Sequence, residues 1–312
     1  MPLEVAEVKE CLRGVAVGLL TPFDQEGEIE YKKIQENAQT HYEEGIRTFL
    51  AAANISEYHS LSQEERVSVT EASLDALPSD ACVLAGVGGS TDNAQDLIQA
   101  YERIGVDAMM IMPPDHAYLH EKGLLEYYRS LASVTERPLV PYVRGFNPSA
   151  EYLIELSQLD SVAGIKYAIK DPVKLGVATT NGPDDTVWID GLAEPYAVSY
   201  WAEGIEGFSA GVSNFRPEVG QALFKALSNE NWSRARDLRN ICVPYQNFRD
   251  ETGQNNTIAG AISVPAVKQG LKLAGMHGGA VREPIQSLSA EEKNRAAEIY
   301  EQLDDNISRL IE

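Results

Sequence analysis

Short, nearly continuous apolar runs recur along the chain at "GVAVGLL", "RTFLAAA", "ACVLAGVG", "DAMMIMPP", "RPLVPYV", "VAGIKYAI", "TVWIDGL" and "IEGFSAGV". Runs that are apolar at successive rather than alternate positions predict strands buried on both faces. Between them lie polar segments whose apolar residues return at helical spacing, such as "YKKIQENAQTHYEEG", "LSQEERVSVTEASLDAL", "STDNAQDLIQAYERIG" and "HEKGLLEYYRSLASVTE". Eight strands alternating with helices predict a (β/α)8 TIM barrel. After Asn214 the strand signal stops, and only helical patterns follow, around "PEVGQALFKALSNENWSRARDLRNICVPYQNF", "VPAVKQGLKLAG" and "SAEEKNRAAEIYEQLDDNISRLIE". The expected organisation is therefore a barrel over 1–214 and a C-terminal helical extension over 215–312 packed against it. A doubly wound dinucleotide-binding sheet is the alternative. It calls for a glycine-rich loop after the first strand, and "LLTPFDQEG" is a poor match to that loop.

Composition narrows the functions this fold can serve. The 312 residues are 44% hydrophobic and 23% charged, the balance of a chain with a sizeable core. A net charge of -21 disfavours nucleic acid and anionic membranes as partners. The acidic residues are spread over many segments, as in "YEEG", "QEER" and "LDD", which suits a solvated surface and a halophilic source. Cys11, Cys82 and Cys242 are odd in number and widely separated, so neither a disulfide framework nor a zinc site is expected. The N-terminus "MPLEVAEVKECLRG" lacks the pattern of a signal peptide, and no apolar run is long enough to span a membrane. A cytoplasmic location is the expectation.

One charge breaks the strand pattern. Lys166 sits inside "VAGIKYAIKD", where an unpaired ammonium costs several kcal/mol unless it loses its proton. On a sixth barrel strand such a lysine can project to the carboxyl-end face, where barrel active sites are built. A desolvated amine condenses with carbonyls to form a Schiff base. The plainer alternative is a strand-end lysine paired with Asp171. One strand earlier, "PLVPYVRGF" places Tyr142 and Arg144 two residues apart on one side of a strand. A phenol there can carry protons to and from an imine, and an arginine can hold a carboxylate.

In combination these segments resemble the dihydrodipicolinate synthase and N-acetylneuraminate lyase family of Schiff-base lyases. "LLTPFDQEGEIEYKKI" is similar to the family opening, "NISEYHSLSQEER" to its second-strand motif, "VPYVRG" to its tyrosine strand, "GIKYAIKD" to its lysine strand, "GFSAGVSN" to its eighth strand and "VPAVKQGL" to a C-terminal segment. The resemblance implies that Lys166 forms the imine and Tyr142 shuttles the proton. It implies a structural role for Glu57 and places Gly191 and Ser209 near the substrate. It also implies a small-molecule 2-oxo acid as partner, no cofactor, and a homo-oligomer, tetramer or dimer.

Departures from the family pattern point to a branch. Asn54 and Ile55 stand where relatives have two threonines that help bind the 2-oxo acid carboxylate. Ser56 replaces the motif glycine, and Asp115 occupies the place of a second relay tyrosine. Losing that relay argues against condensation of pyruvate with aspartate semialdehyde. Pro113-Pro114, Arg144 and "DGLAE" resemble the branch that dehydrates keto-deoxy sugar acids, for which a 2-oxo-3-deoxypentonate giving 2-oxoglutarate semialdehyde is one substrate. Retro-aldol cleavage releasing pyruvate, or ligand binding without turnover, are the alternatives. His59, Asp115 and His116, in the altered loops, are candidates for handling the leaving hydroxyl. His116 and His120 in "HAYLH" lack the glutamate of a metalloprotease motif, and no metal is expected. "GVGGST" suits an ordinary turn in which Ser90 or Thr91 caps the next helix better than a phosphate cradle.

Overall fold

The computed structural model describes residues 2–114, 116, 118–251 and 258–311. All eight apolar runs are parallel strands: β1 Val15–Gly18, β2 Thr48–Ala51, β3 Cys82–Val87, β4 Ala108–Ile111, β5 Leu139–Val143, β6 Gly164–Tyr167, β7 Val187–Asp190 and β8 Gly207–Ser209. They pair in sequence order and β8 returns to β1, so the sheet closes into a (β/α)8 barrel. Every strand residue is buried, which is why the runs show no alternation: one face fills the barrel and the other meets the helices.

An N-terminal helix, α1 Val5–Leu12, precedes the first strand. The barrel helices are α2 Tyr31–Glu43, α3 Gln63–Ala76, α4 Thr91–Ile104, α5 Glu121–Ala132, α6 Ala150–Ser157, α7 Pro172–Asn181 and α8 Glu194–Trp201. Their starts are written in the sequence. Ser62 opens α3 with a capping box, accepting from Glu65 N at 3.2 Å while the Glu65 carboxylate accepts from Ser62 N at 2.8 Å. Ser90 caps α4, confirming "GVGGST" as a βα turn, and Gly105 ends that helix at φ 86.

Among the described residues four α-helices follow β8: α9 Pro217–Ser228, α10 Trp232–Asp250, α11 Ser263–Leu273 and α12 Ala290–Ile311. Leu223, Ala226 and Leu227 of α9 share a buried cluster with Val15 and Val17 of β1 and Phe208 of β8. This helix thus occupies the eighth barrel position, although the expected division at 214/215 puts it in the extension. The last three helices bury Cys242, Tyr245, Phe248, Ala266, Val267, Leu271, Leu303 and Ile307 around Phe215. No helix among the described residues is long and apolar enough to cross a membrane.

Candidate active site

Strand register brings the candidate chemistry together. Tyr142 lies opposite Lys166, and Lys166 lies opposite Ile189, so these side chains share one face of the sheet. That face is the interior. A β-carbon added to Gly191, just past β7, would lie 2.8 Å from Ala168 Cβ, 3.1 Å from Tyr142 Cε2 and 3.2 Å from Lys166 Cγ. Only a glycine lets this segment pass so close to the lysine and the tyrosine.

A cavity of about 510 Å³ opens at this carboxyl-end mouth. Its wall includes Asn54 and Ile55 after β2, Tyr142 from β5 and Arg144 just after it, Lys166 from β6, Gly191 after β7 and Ser209 from β8. The structure therefore places Lys166, Tyr142, Asn54, Ile55, Arg144, Gly191 and Ser209 around one space. Gly18 is part of the same wall, and Ile55 Cγ2 fills the position its β-carbon would take, 2.3 Å away.

Lys166 is 7% exposed, and its Nζ sits 4.2 Å from the centroid of the Tyr142 ring. Burial is the largest influence on the amine and, helped by Arg144, draws its pKa below the ordinary lysine value, against the pull of Tyr142 and Asp190. Burial is also the largest influence on Tyr142 and opposes its ionisation. The charges of Lys166 and Arg144 outweigh it, and the phenol ends below its ordinary value. Each group therefore gives up its proton more readily than the free side chain does, the phenol through the charges of Arg144 and of the protonated Lys166. Asp171 does not pair with Lys166: it caps α7 through Lys174 N at 3.0 Å and lies 3.5 Å from the Lys174 ammonium.

Several candidates lie elsewhere. His59 is exposed and stacks edge-on against Tyr58, with ring centroids 5.2 Å apart. His116 is exposed too, its Nδ1 accepting from Tyr118 N at 3.0 Å. Neither forms part of the cavity wall, which corrects their assignment to the leaving hydroxyl. Asp115 lies outside the described residues. His120 Nδ1 accepts from Lys122 N at 3.1 Å and caps α5.

Glu57 is an anchor. Its carboxylate forms a buried ion pair with Lys268 of α11 and accepts from Arg282 N at 3.0 Å, while Lys268 also donates to Thr21 O at 2.8 Å. The "NISEY" and "VPAVKQGL" segments are tied by this pair. Ser56 adds to the same junction, its hydroxyl donating to Leu19 O and accepting from Ala53 N at 3.1 Å.

Two acids in "DGLAE" carry weight that their sequence context did not announce. Glu194 is fully buried and accepts from Gly211 N, Val212 N, Ser213 N and Ser213 Oγ at 2.6–3.1 Å, fixing the loop after β8. Asp190, also fully buried, accepts from Leu192 N at 2.7 Å. Burial, reinforced by Glu194, holds its carboxyl well above the usual carboxylate range. Asp190 is in register with Tyr167, on the outer face of the sheet, so it influences the lysine from behind.

Among the described residues the wall contains four basic side chains, Arg144, Lys166, Lys170 and Arg249, and one acidic, Asp250, in a chain of net charge -21. A closed barrel with a cavity at its carboxyl-end mouth, walled in part by basic side chains, is the arrangement of an enzyme site. The chain matches the dihydrodipicolinate synthetase family over residues 11–303, and it belongs to that family, a family of lyases. It is 24% identical over 278 residues to a probable 5-dehydro-4-deoxyglucarate dehydratase of Bacillus subtilis, covering 88% of each chain. It is 26% identical over 298 residues to 4-hydroxy-tetrahydrodipicolinate synthase of Archaeoglobus fulgidus, covering 93% of this chain and 98% of that one. Among solved structures, dihydrodipicolinate synthase from Oceanobacillus iheyensis superposes with a TM-score of 0.91 at 27% identity, covering 97% of this chain and all of that one.

Proposed function

We propose that this lyase is a Schiff-base dehydratase of a 2-oxo-3-deoxy sugar acid. The observation that carries the proposal is the Lys166 amine, buried without an acidic ion-pair partner among the described residues, 4.2 Å from the Tyr142 ring in a cavity walled by basic side chains. In this reading Lys166 adds to the C2 carbonyl of the substrate and loses water to give an iminium. A C3 proton leaves to a base, and its electron pair forms an enamine. The enamine expels the C4 hydroxyl, which departs as water after receiving a proton. Hydrolysis then frees the amine, so the net change is loss of one water. Tyr142 carries the proton to and from the imine nitrogen region, a role supported by its ring lying 4.2 Å from the Lys166 Nζ and by a phenol that ionises more readily than the free side chain. Arg144 and the loop at Asn54 and Ile55 hold the C1 carboxylate. The name borne by the Bacillus subtilis relative supports dehydration over condensation.

Product analysis tests the reaction type. Incubation with 2-oxo-3-deoxy pentonates and hexonates, followed by mass spectrometry, should give a product lighter by one water, for the pentonate 2-oxoglutarate semialdehyde. Pyruvate plus a shorter aldehyde would make the protein an aldolase, and no turnover of any 2-oxo acid would make it a binding protein. The homo-oligomeric assembly implied by the family resemblance belongs to the same proposal. Light scattering in high salt should give the mass of two or four chains.

A further inference from the structure

We infer that Cys11 and Cys82 form a redox modification site: low-molecular-weight disulfides oxidise this thiol pair to a reversible Cys11–Cys82 bridge, which staples helix α1 to the floor of the barrel.

The two cysteines lie far apart in the chain and are brought together by the fold. Cys82 is the first residue of β3, fully buried at the amino end of the barrel. Helix α1 closes that end. Its Val8 and Leu12 are buried in the same apolar cluster as Cys82, and a β-carbon added to Gly164, the first residue of β6, would lie 2.8 Å from Leu12 Cδ1. Cys11 packs, partly buried, against that cluster. Two polar ties fix the placement. Thr48 of β2, in register with Cys82, donates its hydroxyl to Cys11 O at 2.7 Å. The buried Asp107 carboxylate accepts from Leu3 N, just before α1, and from Val83 N, next to Cys82, both at 2.8 Å. Between these ties the Cys82 thiol hydrogen-bonds to Cys11. Among the described residues no third His, Cys, Asp or Glu completes a metal-holding group with them.

Their surroundings give the two thiols different roles. Cys11 is partly exposed, whereas Cys82 is shut away from solvent. The hydrogen bond with Cys82 lowers the Cys11 pKa, against burial and the carboxylates of Asp107, Glu10 and Glu7. That same bond, with burial, pushes Cys82 well up. Cys11 is therefore the attacking thiolate and Cys82 the resolving thiol. In the first step the Cys11 sulfur bonds to one sulfur of the small disulfide, whose S–S bond breaks and releases one thiolate. In the second the Cys82 sulfur bonds to the Cys11 sulfur, and the mixed disulfide breaks to release the other. The protein gives up two electrons and two protons, and the small disulfide leaves as two thiols. Cys242, fully buried and hydrogen-bonded to Leu238 O at 3.4 Å within its own helix, takes no part.

Oxidised glutathione serves as the probe. The reduced full chain is incubated with it at neutral pH, blocked with N-ethylmaleimide and digested without reduction for peptide mass spectrometry, and amide exchange is followed in a parallel sample. The wild type should lose two hydrogen atoms and yield a Cys11–Cys82 linked peptide. Exchange of the α1 amides should slow by about tenfold or more, and dithiothreitol should reverse both changes. Cys82→Ser should stop at a glutathione adduct on Cys11, and Cys11→Ser should take up none at Cys82. A wild type that holds glutathione on Cys11 without a linked peptide, or that links only in urea, would overturn the inference. A bridge that leaves α1 exchange unchanged would overturn the staple. Should either variant fail to fold, the wild-type peptide map and exchange decide alone.

Discussion

Gly191→Ala perturbs the site by one methyl group at its most crowded point. The residue is not in the left-handed region, so alanine meets no backbone penalty, and the whole effect is steric. The new carbon would lie 2.8 Å from Ala168 Cβ, 3.1 Å from Tyr142 Cε2 and 3.2 Å from Lys166 Cγ. Carbon atoms pack at roughly 3.5–4.0 Å, so Tyr142 and Lys166 must each give way by about half an ångström. Overpacking of this kind costs about 1–3 kcal/mol. A displacement of about 1 Å at a reacting pair costs on the order of 100-fold in rate, so imine formation should slow by about 10- to 100-fold. The assay is the rate at which pyruvate and borohydride convert the protein to its reduced adduct, followed by intact mass, alongside a thermal melt. Gly123→Ala is the control: this glycine lies inside α5 with no heavy atom within 4 Å of the added carbon, and the change should be neutral or stabilise by up to about 1 kcal/mol. Wild-type trapping and melting in Gly191→Ala would refute the packing argument.

Other perturbations separate the remaining parts of the account. Tyr142→Phe should lower kcat by about 100- to 10,000-fold. Because the tyrosine raises the Lys166 pKa, removing it should also shift the pH dependence of trapping to lower pH; a shift upward would contradict the electrostatics. Lys268→Met leaves the Glu57 carboxylate buried without its cation and should cost about 3–5 kcal/mol in urea unfolding, with Glu57→Gln recovering part of the loss. His41 is buried and burial lowers its pKa to about 4, below the 6.5 of the free side chain. Between those values the unfolded chain binds the extra proton, so stability falls as pH drops from 6.5 to 4. That contribution, about 3 kcal/mol, should be missing from the acid limb of His41→Leu, and parallel curves would contradict it. Raising KCl from about 0.1 M to about 2 M should raise Tm if the acidic surface is an adaptation to salt, because screening relieves repulsion among exposed charges.

The barrel was legible because a parallel strand buried on both faces leaves an unbroken apolar run, and eight such runs leave few alternatives. Lys166 was legible for the same reason, as the charge inside one of them. Tyr142 and Arg144 followed from their two-residue spacing on a strand. Helix α1 was not read as a helix, since its eight residues carry only two buried positions, Val8 and Leu12. The place of α9 was also missed: nothing in a helical pattern says whether its apolar face meets a barrel or other helices. His59 and His116 drew notice because they sit in loops that depart from the family pattern, yet a loop residue's distance from a cavity is set by the turn and not by its position in sequence. Arg249 left no signal. It lies far along the chain from Lys166, in a helix rich in arginine, and only the packing of α10 against α8 and α11 shows that this guanidinium is buried in the cavity wall while Arg239, in the same helix, donates to Asn240.

The most direct test of the central claim is to incubate the protein with a 2-oxo-3-deoxy sugar acid, reduce with borohydride and map the adduct by peptide mass spectrometry. The expected adduct is on Lys166, keeps every substrate carbon, has lost the C4 oxygen and is absent in Lys166→Ala. An adduct on another lysine, or one on Lys166 bearing only the three carbons of pyruvate, would contradict that claim.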